Sequence, residues 1–403
     1  MKLQRLKVLR RSALLKQEQD VAVKQCQRIV HQSQVKAQAL QSLKEPRKKM
    51  RRLLPVHLKP KITVSRFVKR SIDRFFLVLI IGMTSAVAVD AQDTAFHIAF
   101  YNVENLFDTI DTPEKNDEEF TPSSKLQHGS KNYKIKIANL AKVINAMSES
   151  RNMGILGLCE VENLAVVNDL ESKLSYSKYA IIHEESPDER GIDNAILVDK
   201  KHFKIIESGK HTVSLGEDER PTRDIIWGRL KHKATKEELL VFVNHWPSRY
   251  GGAEASNWKR VKASESLSEI IALLKLRYAN AHVVVLGDLN DYPSNESVSR
   301  LEQCEETESC LKDLHARFEG TDRGSHAYKG EWGVLDHILV SQSLLKGESD
   351  LKTSKESGRI FKKKWMLYES SYDGKLYPSR AYGRDKFYGG YSDHLPVIIG
   401  ILK

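Results

Sequence analysis

The 403-residue chain is 40% apolar and 29% charged, a balance that supports a sizeable buried core and excludes a disordered or fibrous protein. Its formal charge of +11 points toward a polyanionic partner, but the excess sits in residues 1–91, which hold 21 Lys+Arg against 5 Asp+Glu. Residues 92–403 hold 43 basic and 48 acidic side chains, a net of −5, so no broad positive surface is expected there.

Residues 1–74 form a basic extension, followed by the apolar run Phe75–Ala88 and the small-residue sequence Val89-Asp90-Ala91. Lys69, Arg70 and Arg74 precede the run, which gives 75–91 the layout of a secretory signal with cleavage near Ala91. Its 14 residues fall short of the roughly 20 that cross a bilayer as a helix. The expectation is an exported protein, periplasmic or extracellular, with no stable membrane association once cleaved; an uncleaved signal anchor is the rival. Either Met50 is the true start or residues 1–74 are a cytoplasmic tail, and the unusual length of the leader favours the first.

From Ala95 onward, short β-type runs alternate with helical patterns in one mixed α/β domain spanning 92–403. Strands are expected at Phe96–Tyr101, Ile155–Cys159, Ala180–His183, Ala195–Val198, Ile225–Leu230, Leu239–Val243, His282–Leu286, Leu335–Val340 and Leu395–Ile401. Helices are expected at Tyr133–Ser148, Glu162–Lys173 and Asn257–Arg277. Stretches 108–130, 184–192, 287–297 and 370–392 read as loops, the last long enough to be a lid or binding loop. Cys159 reads as core, pointing away from Glu160 by alternation. Cys304 and Cys310 either close a small surface disulfide or stay as thiols, and no cysteine pattern signals a metal.

The chemistry lies in where polar residues meet these runs. Four runs end in polar groups: Asn102-Val103-Glu104-Asn105, Glu160, Asn244-His245, and Asp288-Leu289-Asn290-Asp291. Two others begin with them, as Asp336-His337 and Asp393-His394. If the latter two strands run opposite to the former four, all six polar ends meet at one sheet edge. Such a gathering of carboxylates, imidazoles and amides calls for a cation, and its oxygen-rich character suits Mg2+, with Mn2+ or Ca2+ as alternatives. A cation beside a histidine and a carboxylate matches the needs of phosphate-ester hydrolysis.

The motifs Asn102-Val103-Glu104-Asn105, Glu160-Val161-Glu162-Asn163, Asn244-His245-Trp246-Pro247-Ser248-Arg249, Gly287-Asp288-Leu289-Asn290-Asp291, Leu335-Asp336-His337-Ile338-Leu339 and Ser392-Asp393-His394-Leu395-Pro396 occur in this order. In this the chain resembles the endonuclease/exonuclease/phosphatase superfamily from about Phe96 to Ile401. The resemblance implies a four-layer α/β sandwich of two packed mixed sheets. It also implies that Asn102 and Glu160 hold the metal, with Glu104 and Asp393 close to it. His394 would be a general base oriented by Asp336, Asp288 would position or activate water, Asn290 would hold a phosphoryl oxygen, and His245 would stabilise the transition state or leaving group. Whether His394 or Asp288 takes the proton stays open.

Other polar residues have plainer readings. Asp291 and Asn163 read as turn and helix-start residues, Glu162 as a helix-start carboxylate, and His337 as packing on the opposite sheet face. Arg249, Arg223 and Arg220 are candidates to grip a substrate phosphate. Trp246, Tyr250 and Trp258 read as packing beneath a loop rather than as base-stacking platforms. No GxSxG, P-loop or dinucleotide fingerprint is present. The leading expectation is an exported, monomeric, Mg2+-dependent nuclease acting on nucleic acid. A phosphatase or lipid phosphodiesterase on a smaller phosphate ester is the alternative, and a non-catalytic binding module of the same fold is the third reading.

Overall fold

The apolar runs assemble into two β-sheets packed face to face. The structure is a computed structural model that describes residues 94–149, 152–303, 310–347 and 349–403. The basic extension 1–74, the export segment 75–91 and Cys304 lie outside the described residues. In chain order, β1 (Thr94–Leu106), α1 (Ser130–Ser148), β2 (Met153–Val161), α2 (Leu164–Glu171), β3 (Tyr179–His183) and β4 (Asp193–Asp199) lead to β5 (Phe203–His211), β6 (Ile225–His232) and β7 (Glu238–His245). Next come α3 (Asn257–Arg277), β8 (His282–Asp288), α4 (Glu296–Glu302), β9 (Leu311–Asp313), β10 (His326–Tyr328), β11 (Glu331–Gly333) and β12 (Asp336–Ser341). The chain closes with α5 (Gln342–Leu345), β13 (Arg359–Ile360), β14 (Leu367–Glu369), β15 (Leu376–Pro378) and β16 (Val397–Leu402).

One six-stranded sheet runs β13-β16-β1-β2-β4-β3 and the other β5-β6-β7-β8-β12-β9, with β10–β11 and β14–β15 as separate hairpins. Alternation sorts the side chains into layers. Phe96, Ile98 and Phe100 of β1 meet Val241, Val243, Val284, Leu286, Ile338 and Val340 of the opposite sheet in a shared inner core. Ala99, Tyr101 and Val103 face the other way, onto Leu140 and Ile144 of α1 and Val166 and Leu170 of α2. Leu240, Phe242, Val283 and Val285 pack outward against Leu267, Ile271 and Leu274 of α3. The result is the expected four-layer α/β sandwich. The sheets come close at Gly157, where an added Cβ would stand 2.9 Å from Val243 and 3.0 Å from Leu286.

The strand directions are those the polar ends required. β1 is parallel to β2 and antiparallel to β16, while β7 is parallel to β8 and β8 antiparallel to β12. The six ends are shared between two sheets, three from each, so they converge across the sandwich and not along one sheet edge. Sequence reading misses β5, where the buried and exposed positions of FKIIESGKH alternate and leave no apolar run. Asn163 caps α2 as expected, accepting from Ala165 N at 2.8 Å and Val166 N at 3.1 Å. Asn163→Ala is expected to lower stability by about 1 kcal/mol in urea unfolding. Among the described residues, no helix is long and apolar enough to cross a membrane.

Candidate active site

Inner-face alternation carries Asn102, His245, Asp288 and Asp336 to the same end of the inter-sheet core. Asn102, His245 and Asp288 follow apolar inward residues on their strands, Asp336 precedes Ile338 and Val340 on β12, and all four are buried. Glu160 breaks this pattern, since alternation alone would place it on the helix side with Leu156 and Leu158. A register shift lies between Cys159 and Val161 in the pairing of β2 with β4, and Glu160 has a φ of +62°. This bulge turns its carboxylate round to the site. Cys159 stays free and buried in the inner core, as expected. Glu104, Asn105 and Asn290 also hold left-handed backbone, so half of the eight non-glycine residues of this kind among the described residues sit at the strand ends around the site. Strain concentrated in one place marks a functional region.

The side chains form one linked network. Asp336 Oδ2 is 2.7 Å from His394 Nδ1, and the other ring nitrogen of His394 lies 3.7 Å from Asp288 Oδ2. Asn102 Nδ2 donates to Asp288 at 3.0 Å and to Glu160 at 3.3 Å. His245 Nε2 stands 3.8 Å from both Glu160 and Asp288. Asn290 is fixed by its own N–H to Asp288 Oδ1 and by Nδ2 to Trp246 O, each at 3.0 Å. His326 packs on His394 with ring centroids 4.8 Å apart, a neighbour that no sequence motif signals.

Two expected cation neighbours are engaged elsewhere. Glu104 accepts from Arg380 Nε at 3.1 Å and from Ala381 N at 2.6 Å, and Asp393 accepts from Arg380 Nη2 at 3.2 Å. Together they anchor the 370–392 loop, with Lys136 Nζ donating to Tyr391 O at 2.9 Å. Asn102 turns its amide nitrogen toward the carboxylates while its oxygen accepts from Glu104 N at 2.9 Å. Ligation through that oxygen would compete with this bond.

The three candidate arginines separate in the same way. Arg249 donates to Asn290 O, Asp291 and Asn295, and Arg223 donates to Asp188 and Trp246 O, so both brace loops. Arg220 is exposed, in a loose 3.7 Å pair with Glu189. Arg380, half-exposed beside the cluster, is the cation that sequence reading missed. Trp246 is buried as expected, but Tyr250 is 93% and Trp258 41% exposed, so these two do not pack beneath the loop.

His337 lies on the outer face, 2.8 Å from Asp313 and 2.9 Å from Asp291 O. Burial opposes its charge, but Asp313 outweighs that and lifts the imidazole above its ordinary range. His337→Leu strands the buried Asp313 carboxylate, and a loss of about 3–5 kcal/mol is expected in denaturant unfolding. Asp291 serves the same scaffold, accepting from Ser297 at 2.7 Å and pairing with Arg260 at 2.8 Å. Glu162 accepts from Asp108 N at 2.6 Å, tying down the loop after β1. Cys310 is disulfide-bonded.

The electrostatics reveal a deficit of positive charge. Burial pushes the Asp288 carboxyl up to about 7, against the opposing pull of His394. Burial also disfavours the charged form of His394, yet Asp336 and Asp288 prevail and hold its proton well above the ordinary range. His245 is pushed well down by burial and by Arg223 and Arg190, which keeps it neutral. Asp336 Oδ1 is buried with no hydrogen-bond partner. Donor atoms of Asp288, Asp336 and His394 lie within 4.8 Å of one another, and Asn102 links Asp288 to Glu160, so a divalent cation beside Asp288 fits the charge that this end of the sandwich gathers.

Residues 97–403 match the Endonuclease/Exonuclease/phosphatase family. Among solved structures, a mannosyl-6-phosphatase from Bacteroides thetaiotaomicron is 19% identical with a TM-score of 0.50, covering 77% of this chain and 100% of its own. A family protein from the same organism is also 19% identical, with a TM-score of 0.49 over 76% of this chain and 94% of its own. One from Bacteroides vulgatus is 16% identical, with a TM-score of 0.49 over 76% and 99%. No curated protein sequence matches.

Proposed function

Because the chain belongs to the endonuclease/exonuclease/phosphatase family, we propose that it is an exported, divalent-cation-dependent phosphodiester hydrolase acting on nucleic acid as a monomer. The observation that carries the chemistry is His394, held by Asp336 at 2.7 Å on one nitrogen and facing Asp288 at 3.7 Å with the other. Glu160 and Asp288 are the carboxylates that would hold the cation, with Asn102 bonded to both. When bound, Mg2+ would neutralise phosphoryl charge and lower the pKa of water. With the cation offsetting the carboxylate charge that otherwise holds a proton on His394, the neutral ring would accept the proton of the attacking water through Nε2, while Asp336 fixes it through Nδ1. Asn290 donates to a phosphoryl oxygen once its bond to Trp246 O is exchanged. Neutral His245 donates a hydrogen bond to charge developing across from the attack. Arg380 is placed to meet a phosphate at the open side.

Nucleic acid as substrate is supported by exposed aromatics near the site: Tyr250, next to Arg249, and Tyr328, in the hairpin that His326 begins, are 93% and 65% exposed. A smaller phosphate ester is the second reading. It is favoured by the net charge of −5 over 92–403 and by the commitment of Arg249 and Arg223 to the scaffold. Purified protein incubated with Mg2+ and plasmid, oligonucleotide, sphingomyelin and sugar-phosphate panels separates the two. Strand cleavage is expected; turnover of a small ester with intact nucleic acid would replace the first reading by the second.

A further inference from the structure

The stem of the loop joining β3 to β4 carries a separate set of metal-type donors. His183 ends β3, Asp193 begins β4, and Glu185 stands two residues into the loop; one donor atom from each lies within 4.8 Å of the other two. His183 Nε2 and Asp193 Oδ2 face each other at 3.3 Å, on side chains only 3% and 1% exposed. Neither atom has a hydrogen-bond partner. The two buried atoms have only each other at hand, outside hydrogen-bond geometry, and a ligand shared between them would satisfy both.

The carboxylate is not free to turn away, because Asp193 Oδ1 accepts from Ser186 N at 2.7 Å. Nearby cations bind the loop's main chain and leave the three donor side chains without a direct ammonium partner: Lys115 donates to Ser186 O at 3.2 Å and Asp188 O at 2.9 Å, and Lys210 donates to Glu185 O at 2.5 Å while pairing with Asp224 at 3.0 Å.

We propose that His183, Glu185 and Asp193 form a second cation site, built for Zn2+. An imidazole with two carboxylates suits zinc better than the all-oxygen shells of Mg2+ or Ca2+. The fourth position falls to water on the exposed Glu185 side. The ion clasps both ends of the 184–192 loop. That loop supplies Asp188, which pairs with Arg223 at 3.2 Å, and Arg223 donates to Trp246 O at 2.6 Å, next to His245. The site therefore braces one wall of the active site without entering the chemistry.

The test is Zn2+ binding by equilibrium dialysis and thermal unfolding of the full chain, stripped with chelator and reloaded with Zn2+ alone. Glu185→Gln, at an exposed side chain, and His183→Ala are each expected to lose one bound equivalent and the Zn2+-induced rise in Tm. Glu160→Gln should keep the equivalent and the Tm rise that Glu185→Gln removes, any loss it shows being of a separate equivalent at the active site. Unchanged stoichiometry and Tm response in Glu185→Gln, or a parent chain that binds no Zn2+ sensitive to it, would overturn the proposal. Should His183→Ala fail to fold, Glu185→Gln alone decides.

Discussion

His394→Ala is expected to lower turnover by about 10²–10⁴-fold, the usual contribution of a positioned proton acceptor. The side chain stands ahead of β16 and makes its defining contacts with two carboxylates, Asp336 and Asp288. Its removal deletes the acceptor while Leu395, Val397 and Ile399 continue to fill their cores. Asp336→Asn provides the internal comparison. That change keeps the shape but removes the charge that orients the ring, so it should lower kcat substantially and leave substrate affinity near its original value. Single-turnover kinetics at saturating substrate, with circular dichroism to confirm the fold, would measure both. Wild-type rates in His394→Ala would remove the residue from the mechanism.

How much of this arrangement the sequence reveals depends on which force fixes each residue. Asn102, His245, Asp288 and Asp336 are legible because each extends an apolar strand on its inward register, and pleating then decides the side it faces. Glu160 has the opposite parity, and only the bulge brings it in; a register shift leaves no composition signal. The arginines are illegible for another reason. Arg249 and Arg223 look like phosphate ligands until their partners are known, and those partners, Asp291 and Asp188, are themselves loop residues. Arg380 lies in a loop that joins the site through contacts 276 residues apart in sequence, with Glu104 as its anchor. Such pairing is a property of the packed structure, whereas strand parity is a property of the local chain.

The same distinction makes Glu160→Gln the sharpest probe of the cation. The substitution keeps the side chain's length and an acceptor for Asn105 N, which now bonds Glu160 Oε2 at 2.9 Å. What it removes is one unit of negative charge beside Asp288, whose carboxyl burial already pushes up to about 7. Outer-shell substitutions at metal sites typically cost about 10–100-fold in affinity or activity, and a direct ligand should cost at least the upper end of that range. The expected result is a shift of about 100-fold in the Mg2+ concentration that gives half-maximal activity, with rate partly recovered at high Mg2+. A variant that lost activity at every Mg2+ concentration while binding the ion normally would instead make Glu160 a substrate-side group. An unshifted activation curve with full activity would move the cation away from β2 altogether, onto the Asp288, Asp336 and His394 side of the cluster.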